Sequence, residues 1–373
     1  MNWRAYTGVA VRSMVWAYLQ AIAFVMFTLL VIALTIDLTD SLDNIRARAA
    51  ETEQPVWRVL LPYLSFRSVD IVTRLLGMAA LIGAGVTTAL RHQRMEDVVL
   101  AAAGASPAVM LSALLMVGAV TGAIQGSFQN WLRPPTVERQ VEMGLGQYGR
   151  WFGNTQLTHR WFVNENLAMR AEVRRGADAS LTDVTIFEGI DQPVLSRIIF
   201  AESAAPLSED EQWRLQGVTL WQGENGTATQ RMETLDIWYP LNIDRVQYFG
   251  VHGYFMPNSA LKQVARLTGT QAASDARTAL AFRKLAFFLP GVFALLGASL
   301  ALAGRRGRRL APFRLLPLVT IGYVTLVSFK VFWALGIHGR LPPYWAALIP
   351  ISLAVLLSVV LQLQQAGYLR RNR

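Results

Sequence analysis

The chain has 373 residues, of which 53% are hydrophobic and only 16% are charged, a composition too apolar for an ordinary soluble domain of this length. The sequence contains no cysteine, which excludes disulfides and thiolate metal sites. The net charge of +10 would suggest a nucleic-acid partner in a soluble protein, but the distribution of the charge favours another explanation.

Six stretches of the sequence are long and apolar enough to cross a bilayer. A spanning helix needs about 20 mainly apolar residues to cross roughly 30 Å of hydrocarbon. The first stretch is too long for a signal peptide and is followed by no small-residue cleavage site, so we expect an uncleaved anchor. The six predicted spans are 13–36, 68–90, 106–130, 285–303, 312–337 and 343–364.

Basic residues give the orientation of these spans, because cytoplasmic loops carry an excess of Lys and Arg. With the N-terminus inside, the cytoplasmic segments hold 12 of the 35 basic residues and two of the 25 acidic ones, and so carry the whole net charge of +10. We therefore expect a bacterial inner-membrane protein with both termini in the cytoplasm, and no nucleic-acid partner is needed. The 12 basic residues are Arg4, Arg12, Arg91, Arg94, Arg305, Arg306, Arg308, Arg309, Arg314, Arg370, Arg371 and Arg373.

The segment after the third span has a different character and is predicted to lie in the periplasm. Pro134 and Pro135 are expected to end the third helix after Trp131. Short runs rich in β-branched and aromatic residues follow, and many strands without intervening helices predict a sandwich or a jelly-roll-like domain. The predicted strands are Arg160–Val163, Leu181–Phe187, Val194–Ala201, Trp213–Trp221 and Glu233–Trp238, followed by a helical run from Asn258 to Phe282.

The predicted organisation is therefore an α-helical polytopic membrane protein with six transmembrane helices and an inserted periplasmic β domain. Spans one to three occupy 1–132, the β-rich domain 133–283, and spans four to six 284–373. A single cytoplasmic coupling helix at 91–104 is predicted to join the second span to the third.

Two patterns in the sequence could suggest a nucleotide-binding or catalytic site but do not support one, and the P-loop motif is absent. Residues 144–149 match G-x-G-x-x-G, but that fingerprint follows a strand, whereas a charged and predicted helical linker precedes it here. No G-x-x-x-x-G-K-[ST] motif occurs, so ATP hydrolysis would require a separate subunit. Asp37, Asp40 and Asp43 recur every three residues, which we interpret as a solvated helical face rather than a paired-carboxylate site. We predict no catalytic residue, no metal site and no cofactor.

The link from Arg91 to Ser106 carries the most informative pattern. Its apolar residues at helical spacing predict an amphipathic helix, which Gly104 would end. Periodicity alone leaves open a surface connector or a coupling helix that docks into a cytoplasmic motor subunit. The apolar residues are Met95, Val98, Val99 and Ala102.

The same link resembles the cytoplasmic signature S-E-x-x-x-M-x-A-x-G-x-S of the LptF/LptG lipopolysaccharide-export permeases, also called the YjgP/YjgQ family. The matching run is Met95-Glu-Asp-Val-Val-Leu-Ala-Ala-Ala-Gly-Ala-Ser106. Together with the six spans and the β insertion, the resemblance covers essentially the whole chain. The other matching fragments are Leu181-Thr-Asp-Val-Thr-Ile-Phe187, Ser196-Arg-Ile-Ile-Phe-Ala201, Trp213-Arg-Leu215 and Leu341-Pro-Pro343 with Ala346, Ala347 and Pro350.

Within that family, the run from Leu341 to Pro350 and the residues Asn258-Ser-Ala-Leu-Lys262 favour the LptG type. One feature departs from it, because LptG-like proteins often carry lysines near the outer end of the first helix. This chain has Thr39, Asp40 and Ser41 there, with Arg46 and Arg48 further on. Either the anionic headgroup is contacted elsewhere, or the chain is of the LptF type.

The resemblance implies a subunit of an ATP-driven machine that extracts lipopolysaccharide from the outer leaflet of the inner membrane. The partners it implies are a cytoplasmic ABC ATPase dimer, a paralogous six-span permease of the LptF type, and a single-span periplasmic bridge protein resembling LptC. The two permeases would form a cavity gated by their first and fifth helices. The subunit itself is expected to be non-catalytic.

Candidate site residues follow from this interpretation. Coupling to the ATPase is assigned to the link, with Glu96 making a directional contact to a basic group of the motor. Its neighbour Asp97 points about 100° away on a helix and is expected to matter less. The coupling residues are Arg91, Arg94, Met95, Glu96, Val98, Val99, Ala102 and Gly104.

Lipid contact is assigned to cationic and aromatic residues toward the periplasmic side. Lys330 lies about 18 residues, or roughly 27 Å, into a fifth helix that starts in the cytoplasm. Either Lys330 contacts the headgroup or it extends to the interface to reach water. Arg74 lies about 10 Å inside the second span, where structural pairing is an alternative to lipid contact. The lipid-binding candidates are Lys330, Phe329, Trp333, Arg46, Arg48 and Arg74.

Two other functions stay open at this point. The chain could be a force-transmitting subunit of a different ABC complex that carries no lipid itself. It could also be a non-transporting membrane sensor or scaffold with a periplasmic β domain.

Overall fold

The structure is a computed structural model in which the described residues contain six helices long and apolar enough to cross a membrane. The predicted number of spans is thereby confirmed. The helices are α1 Val9–Glu51, α2 Val56–Gln93, α3 Glu96–Ala102, α4 Ala108–Ser127, α5 Arg133–Met143, α6 Asn258–Val264, α7 Gln271–Leu285, α8 Leu289–Ala303, α9 Pro312–Ile337 and α10 Pro343–Gln365. The described residues are 8–106, 108–146, 148, 159–164, 166–174, 180–207, 211–222, 229–241, 246, 251–266, 271–306, 309–310 and 312–365.

Helices α1 and α2 form an antiparallel hairpin that is longer than a bilayer is thick. They contain 43 and 38 residues, or about 60 Å each at the α-helical rise, roughly twice the length of a membrane span. The buried positions of α1 recur every three or four residues over most of its length. From Asp37 to Ala49 they continue beyond the apolar stretch, so the paired helices extend past its end.

Glycines bring α2, α4 and α8 close together. A Cβ added to Gly297 of α8 would lie 2.0 Å from the carbonyl oxygen of Leu81 in α2. A Cβ on Gly118 of α4 would lie 2.9 Å from the Cα of Gly291 in α8. Small residues at such crossings allow the van der Waals packing that holds helices together in lipid. Any side chain at these crossings would force the helices apart.

The third span does not end after Trp131. A π-helical turn at Phe128–Leu132 follows α4 and leads directly into α5. The prolines at 134 and 135 lie at the start of α5, directly after this turn. The wider π turn just before them changes the hydrogen-bond pattern at the position where the prolines would otherwise break it. The predicted helix end is therefore wrong.

Between the third and fourth spans lies a six-stranded antiparallel sheet, which confirms the inserted β domain. Its described strands pair in sequence order, so they form a meander rather than the crossed strand order of a jelly roll. The strands are β1 Arg160–Asn164, β2 Leu167–Arg174, β3 Ser180–Glu188, β4 Arg197–Pro206, β5 Gln212–Gln222 and β6 Gln230–Trp238.

One face of this sheet forms the core of the β domain. The residues that follow β6 cover it, because Trp213 donates from Nε1 to the carbonyl oxygen of Leu241 at 2.7 Å. The hydroxyl of Tyr239 donates to the carbonyl oxygen of Phe162 in β1, also at 2.7 Å. The segment after β6 therefore crosses the core face and reaches β1, the strand at the other edge of the sheet. A row of buried partners crosses the first five strands: Phe162, Met169, Ile186, Ile199 and Leu220.

Five of the six strands coincide or overlap with predicted ones, and β2 is the exception. Its sequence, Leu-Ala-Met-Arg-Ala-Glu-Val-Arg, is rich in residues that favour helices. The helical run predicted from Asn258 to Phe282 is present as α6 and α7.

The chain forms two compact units, Met1–Val137 with Ala265–Arg373, and Glu138–Val264. The sequence-based boundaries for the β-rich segment were 133 and 283. Helix α7 belongs to the helical unit, in which it packs against α9 and α10.

Candidate functional site

The link between α2 and α4 is a turn followed by a short helix. Helix α2 continues through Gln93, and Met95 has a φ of +61°, which reverses the chain before α3 begins. Nη1 of Arg91 lies 2.8 Å from Oε2 of Glu96 and bridges this turn. The prediction of one continuous helix across 91–104 is therefore wrong, because the chain must turn sharply where it leaves the end of α2.

Helix α3 has two faces of different character, and none of its seven residues is buried. Val98 and Val99 are 47% and 65% exposed, and Ala102 is exposed as well. Asp97, Leu100 and Ala101 instead line a cleft of about 360 Å³. Three of the four residues of the predicted apolar face, Val98, Val99 and Ala102, thus point away from this cleft, whereas Met95 lies in the turn before α3.

The other residues assigned to coupling lie around the two ends of α3. Arg94 is exposed in the turn before it, and Met95 is partly buried. Gly104 follows α3 with a φ of +81° and open space around its Cα, so it ends the short helix in the left-handed conformation that glycine adopts readily.

The structure separates the three lipid-contact candidates of α9. Lys330 is exposed. The ring of Phe329 packs against Phe293 of α8 with centroids 5.2 Å apart, and Trp333 packs against Phe282 of α7 at 4.6 Å. The two aromatic residues therefore hold α9 against its neighbours, whereas Lys330 is a cation exposed on the surface of α9.

Arg46 and Arg48 lie on the part of α1 that extends past the apolar stretch. Nη1 of Arg46 lies 3.9 Å from Oδ1 of Asp43, and Nη1 of Arg48 lies 3.1 Å from Oε2 of Glu51. All four side chains are largely exposed, so both pairs are solvent-screened contacts within one helix.

Arg74 belongs to a buried charge network that sequence reasoning did not assemble. Its centre is Asp70 of α2, whose side chain is 0% exposed. Oδ2 of Asp70 lies 2.7 Å from Nη2 of Arg74 and 3.0 Å from Nη1 of Arg67. Oδ1 accepts a hydrogen bond from Nε of Arg133, at the start of α5, at 2.9 Å. A single carboxylate thus joins α2 to the start of α5.

The network continues into α1 through Asp37. Nη2 of Arg67 lies 2.6 Å from Oδ1 of Asp37, and the hydroxyl of Tyr63 donates to Oδ2 of Asp37. Ser41 lies 3.1 Å from the same hydroxyl. The interpretation of Asp37 as part of a solvated helical face is therefore wrong, since it is 9% exposed and paired. Asp43, with 99% of its side chain exposed, fits that interpretation.

A sequence signal for this network does exist. Arg67, Asp70 and Arg74 recur at i, i+3 and i+7, which places one acid between two bases on the same face of α2. Charges at the edge of a membrane span occur mostly in pairs. What the sequence does not show is that residues from α1 and α5 complete the cluster.

The fold and the link together define the class of the protein. It is a multi-pass membrane protein with a β domain inserted between its third and fourth spans and a short exposed helix between its second and third spans. The family model for the lipopolysaccharide export system permease LptF/LptG matches residues 12–364. The chain therefore belongs to the LptF/LptG family of permeases of the lipopolysaccharide export system, which confirms the resemblance. A search for similar curated proteins found no match. Assignment to the LptG type stays a prediction.

Proposed function

We propose that this chain is a permease subunit of an ATP-driven transporter that extracts lipopolysaccharide from a bacterial inner membrane and passes it to a periplasmic bridge toward the outer membrane. Both termini would lie in the cytoplasm and the β domain in the periplasm. A separate ABC ATPase dimer would hydrolyse ATP, because the sequence lacks a P-loop.

The observation that carries this proposal is the outward face of α3. Val98, Val99 and Ala102 are exposed on a helix that joins two membrane spans. This helix lies on the side of the membrane to which the strongly basic loops are assigned. Exposed apolar residues in such a patch are typical of a docking surface. In a family of export permeases, the partner that fits this surface is the ATPase.

Glu96 is proposed to make the directional contact in that interface. Its carboxylate is already paired with Arg91, yet 37% of its side chain is exposed, so it can accept a second basic group. Asp97 lines the cleft on the other side of α3, which supports the expectation that it contributes less to docking. Removing one partner of a desolvated charge pair costs about 2–5 kcal/mol, whereas rim charges matter less.

Helices α1 and α9 supply the surfaces for the partner permease and the lipid. Helix α1 exposes Trp16, Phe24 and Phe27, and α9 exposes Tyr323 and Val324 in addition to Lys330. We assign these faces to the cavity shared with an LptF-like paralogue, where acyl chains require apolar walls. The anionic headgroup requires cations such as Lys330.

The β domain is proposed to join the periplasmic bridge through an edge strand. Strand β1 lies at one edge of the sheet, with Trp161 57% and Val163 60% exposed. An edge strand can accept the strand of another chain by main-chain pairing, with exposed side chains adding contacts. An LptC-like single-span protein is the partner that the family implies.

The test is Val99→Asp, with Val194→Asp as a matched control, because these two valines are 65% and 64% exposed. The full chain is purified from membranes with its bound proteins and lipids, which are identified by mass spectrometry. Wild type and the control are expected to retain the ATPase, a second permease and lipopolysaccharide. Val99→Asp is expected to lose the ATPase alone.

Each other outcome contradicts the proposal in a different way. An ATPase recovered with another lipid would indicate a different ABC complex. A wild-type chain recovered without any ATPase would indicate a sensor or scaffold. Retention of the ATPase by Val99→Asp would remove the docking role of α3.

A further inference from the structure

A cleft lies beneath α3 on the side opposite the proposed docking face. It is bounded by α3, by the turn at Ala105 and Ser106, and by the ends of α1, α4, α8 and α10 nearest that turn. Its volume of about 360 Å³ lies in the range of small-molecule sites, which is roughly 300–1,000 Å³. Five helices and this turn thus form one concave site that the docking of α3 does not use.

The lining of the cleft is amphiphilic. Met14, near the start of the apolar stretch of α1, and Leu111 and Leu114, one to two turns inside α4, form its apolar part. Asp97 and Ser106, on the link, and Gln362, near the end of α10, provide polar groups. The apolar part therefore lies on the membrane side of the cleft, and the link supplies polar groups at its outer end.

These polar groups include acceptors that a cation can use. Asp97 contributes a carboxylate whose contact with Nδ1 of His92 is long, at 3.8 Å. Nε2 of Gln362 donates to Oγ of Ser299 at 3.1 Å, and the carbonyl oxygen of the same amide is available as an acceptor. A carboxylate together with a carbonyl oxygen suits a compact cation with several N–H donors, and a primary ammonium has three.

We propose that this cleft binds an aminophospholipid of the membrane leaflet that borders the link. The ammonium of its ethanolamine headgroup pairs with Asp97, and an acyl chain lies along Met14, Leu111 and Leu114. Such a lipid supports α3 from behind while the opposite face of α3 stays free for the motor. The lining of this site contains none of the residues of α1 and α9 assigned above to the shared lipopolysaccharide cavity, and its test does not depend on transport.

Photo-crosslinking of the full chain in phosphatidylcholine nanodiscs tests the proposal. The probes are phosphatidylethanolamine and phosphatidylglycerol that carry the same diazirine on one acyl chain, and mass spectrometry maps the labelled peptides. Ala101→Phe fills the cleft, and Ala103→Phe on the same link is its matched control, because Ala103 is exposed outside the lining. Asp97→Asn removes the charge, and Asp43→Asn, at a side chain that is 99% exposed, controls for loss of a carboxylate.

In the wild type we expect labelling of the α4 and α10 segments that line the cleft, and stronger labelling by the ethanolamine probe. Ala101→Phe should abolish it. Asp97→Asn should reduce it about tenfold, the amount expected for loss of a hydrogen bond to a charged group. Both controls should label like the wild type. Labelling elsewhere in the wild type, or unchanged labelling in Ala101→Phe, overturns the site. Equal labelling by both probes, or no effect of Asp97→Asn, overturns the ammonium assignment.

Discussion

Replacing Asp70 with Asn should destabilise the helical unit more than any surface charge substitution. The substitution keeps the size of the side chain but removes the negative charge that faces Arg67, Arg74 and Arg133. Arg67 still has Asp37 as a partner, and 33% of the Arg74 side chain is exposed to solvent. The dominant cost therefore comes from Arg133, whose side chain is only 2% exposed.

The free energy of unfolding should decrease by about 3–5 kcal/mol, the cost of breaking one buried ion pair, rather than by three times that amount. For a unit of more than 200 residues, this corresponds to a decrease of about 10 °C in apparent Tm. The assay is thermal unfolding of the purified full chain in nanodiscs, followed by intrinsic tryptophan fluorescence. Asp43→Asn is the control, because Asp43 is exposed and lies 3.9 Å from Arg46, and its Tm should match the wild type.

A double substitution makes the test specific for the charge pair. Arg133→Gln in the Asp70→Asn background removes the buried guanidinium together with the carboxylate that faced it. The double variant should therefore be more stable than the sum of the two single losses predicts. A wild-type Tm for Asp70→Asn, or strictly additive losses, would refute the role of Asp70 as the centre of the network.

Three further predictions concern packing, lipid contact and catalysis. Gly122→Ala should lower the apparent Tm, because a Cβ there would lie 2.2 Å from the carbonyl oxygen of Phe287. Gly126→Ala is the control and should leave the Tm unchanged, because the nearest atom to its Cβ would be 3.9 Å away. Equal Tm values for the two variants would contradict the packing of α4. Lys330→Glu should weaken stimulation of the assembled ATPase by lipopolysaccharide while leaving assembly intact, and wild-type stimulation would leave only an interfacial role for this lysine. The rigorously purified single chain should hydrolyse no ATP, and measurable turnover would contradict the need for a separate motor.

Periodicity and composition were sufficient to predict those elements that depend on the local sequence. The spans follow from uninterrupted apolar length, and the outward face of α3 follows from the spacing of Val98, Val99 and Ala102. Strand β2 was missed because its residues favour helix in isolation, and its neighbours in the sheet override that preference. The turn at Arg94 and Met95 was missed because helical spacing continues across it.

The buried charge network shows what a linear pattern cannot give. Asp37 is separated by about 30 residues from Arg67, and Arg133 by about 60 from Asp70, and only the packing of α1, α2 and α5 brings them together. Asp37 was interpreted as solvated because it recurs with Asp40 and Asp43 every three residues just beyond the first apolar stretch. The amphiphilic cleft was likewise beyond prediction, because its lining comes from five elements spread over nearly the whole sequence.

The most direct test of the transport function is lipopolysaccharide release from proteoliposomes. The chain is reconstituted with its paralogous permease and the ATPase, and transfer of labelled lipopolysaccharide to a soluble acceptor domain of the bridge protein is followed over time. We expect transfer that requires ATP, the wild-type chain and an intact α3 face, and that is lost in Val99→Asp but not in Val194→Asp. Transfer at the same rate without ATP, or without this chain, would contradict the proposed function.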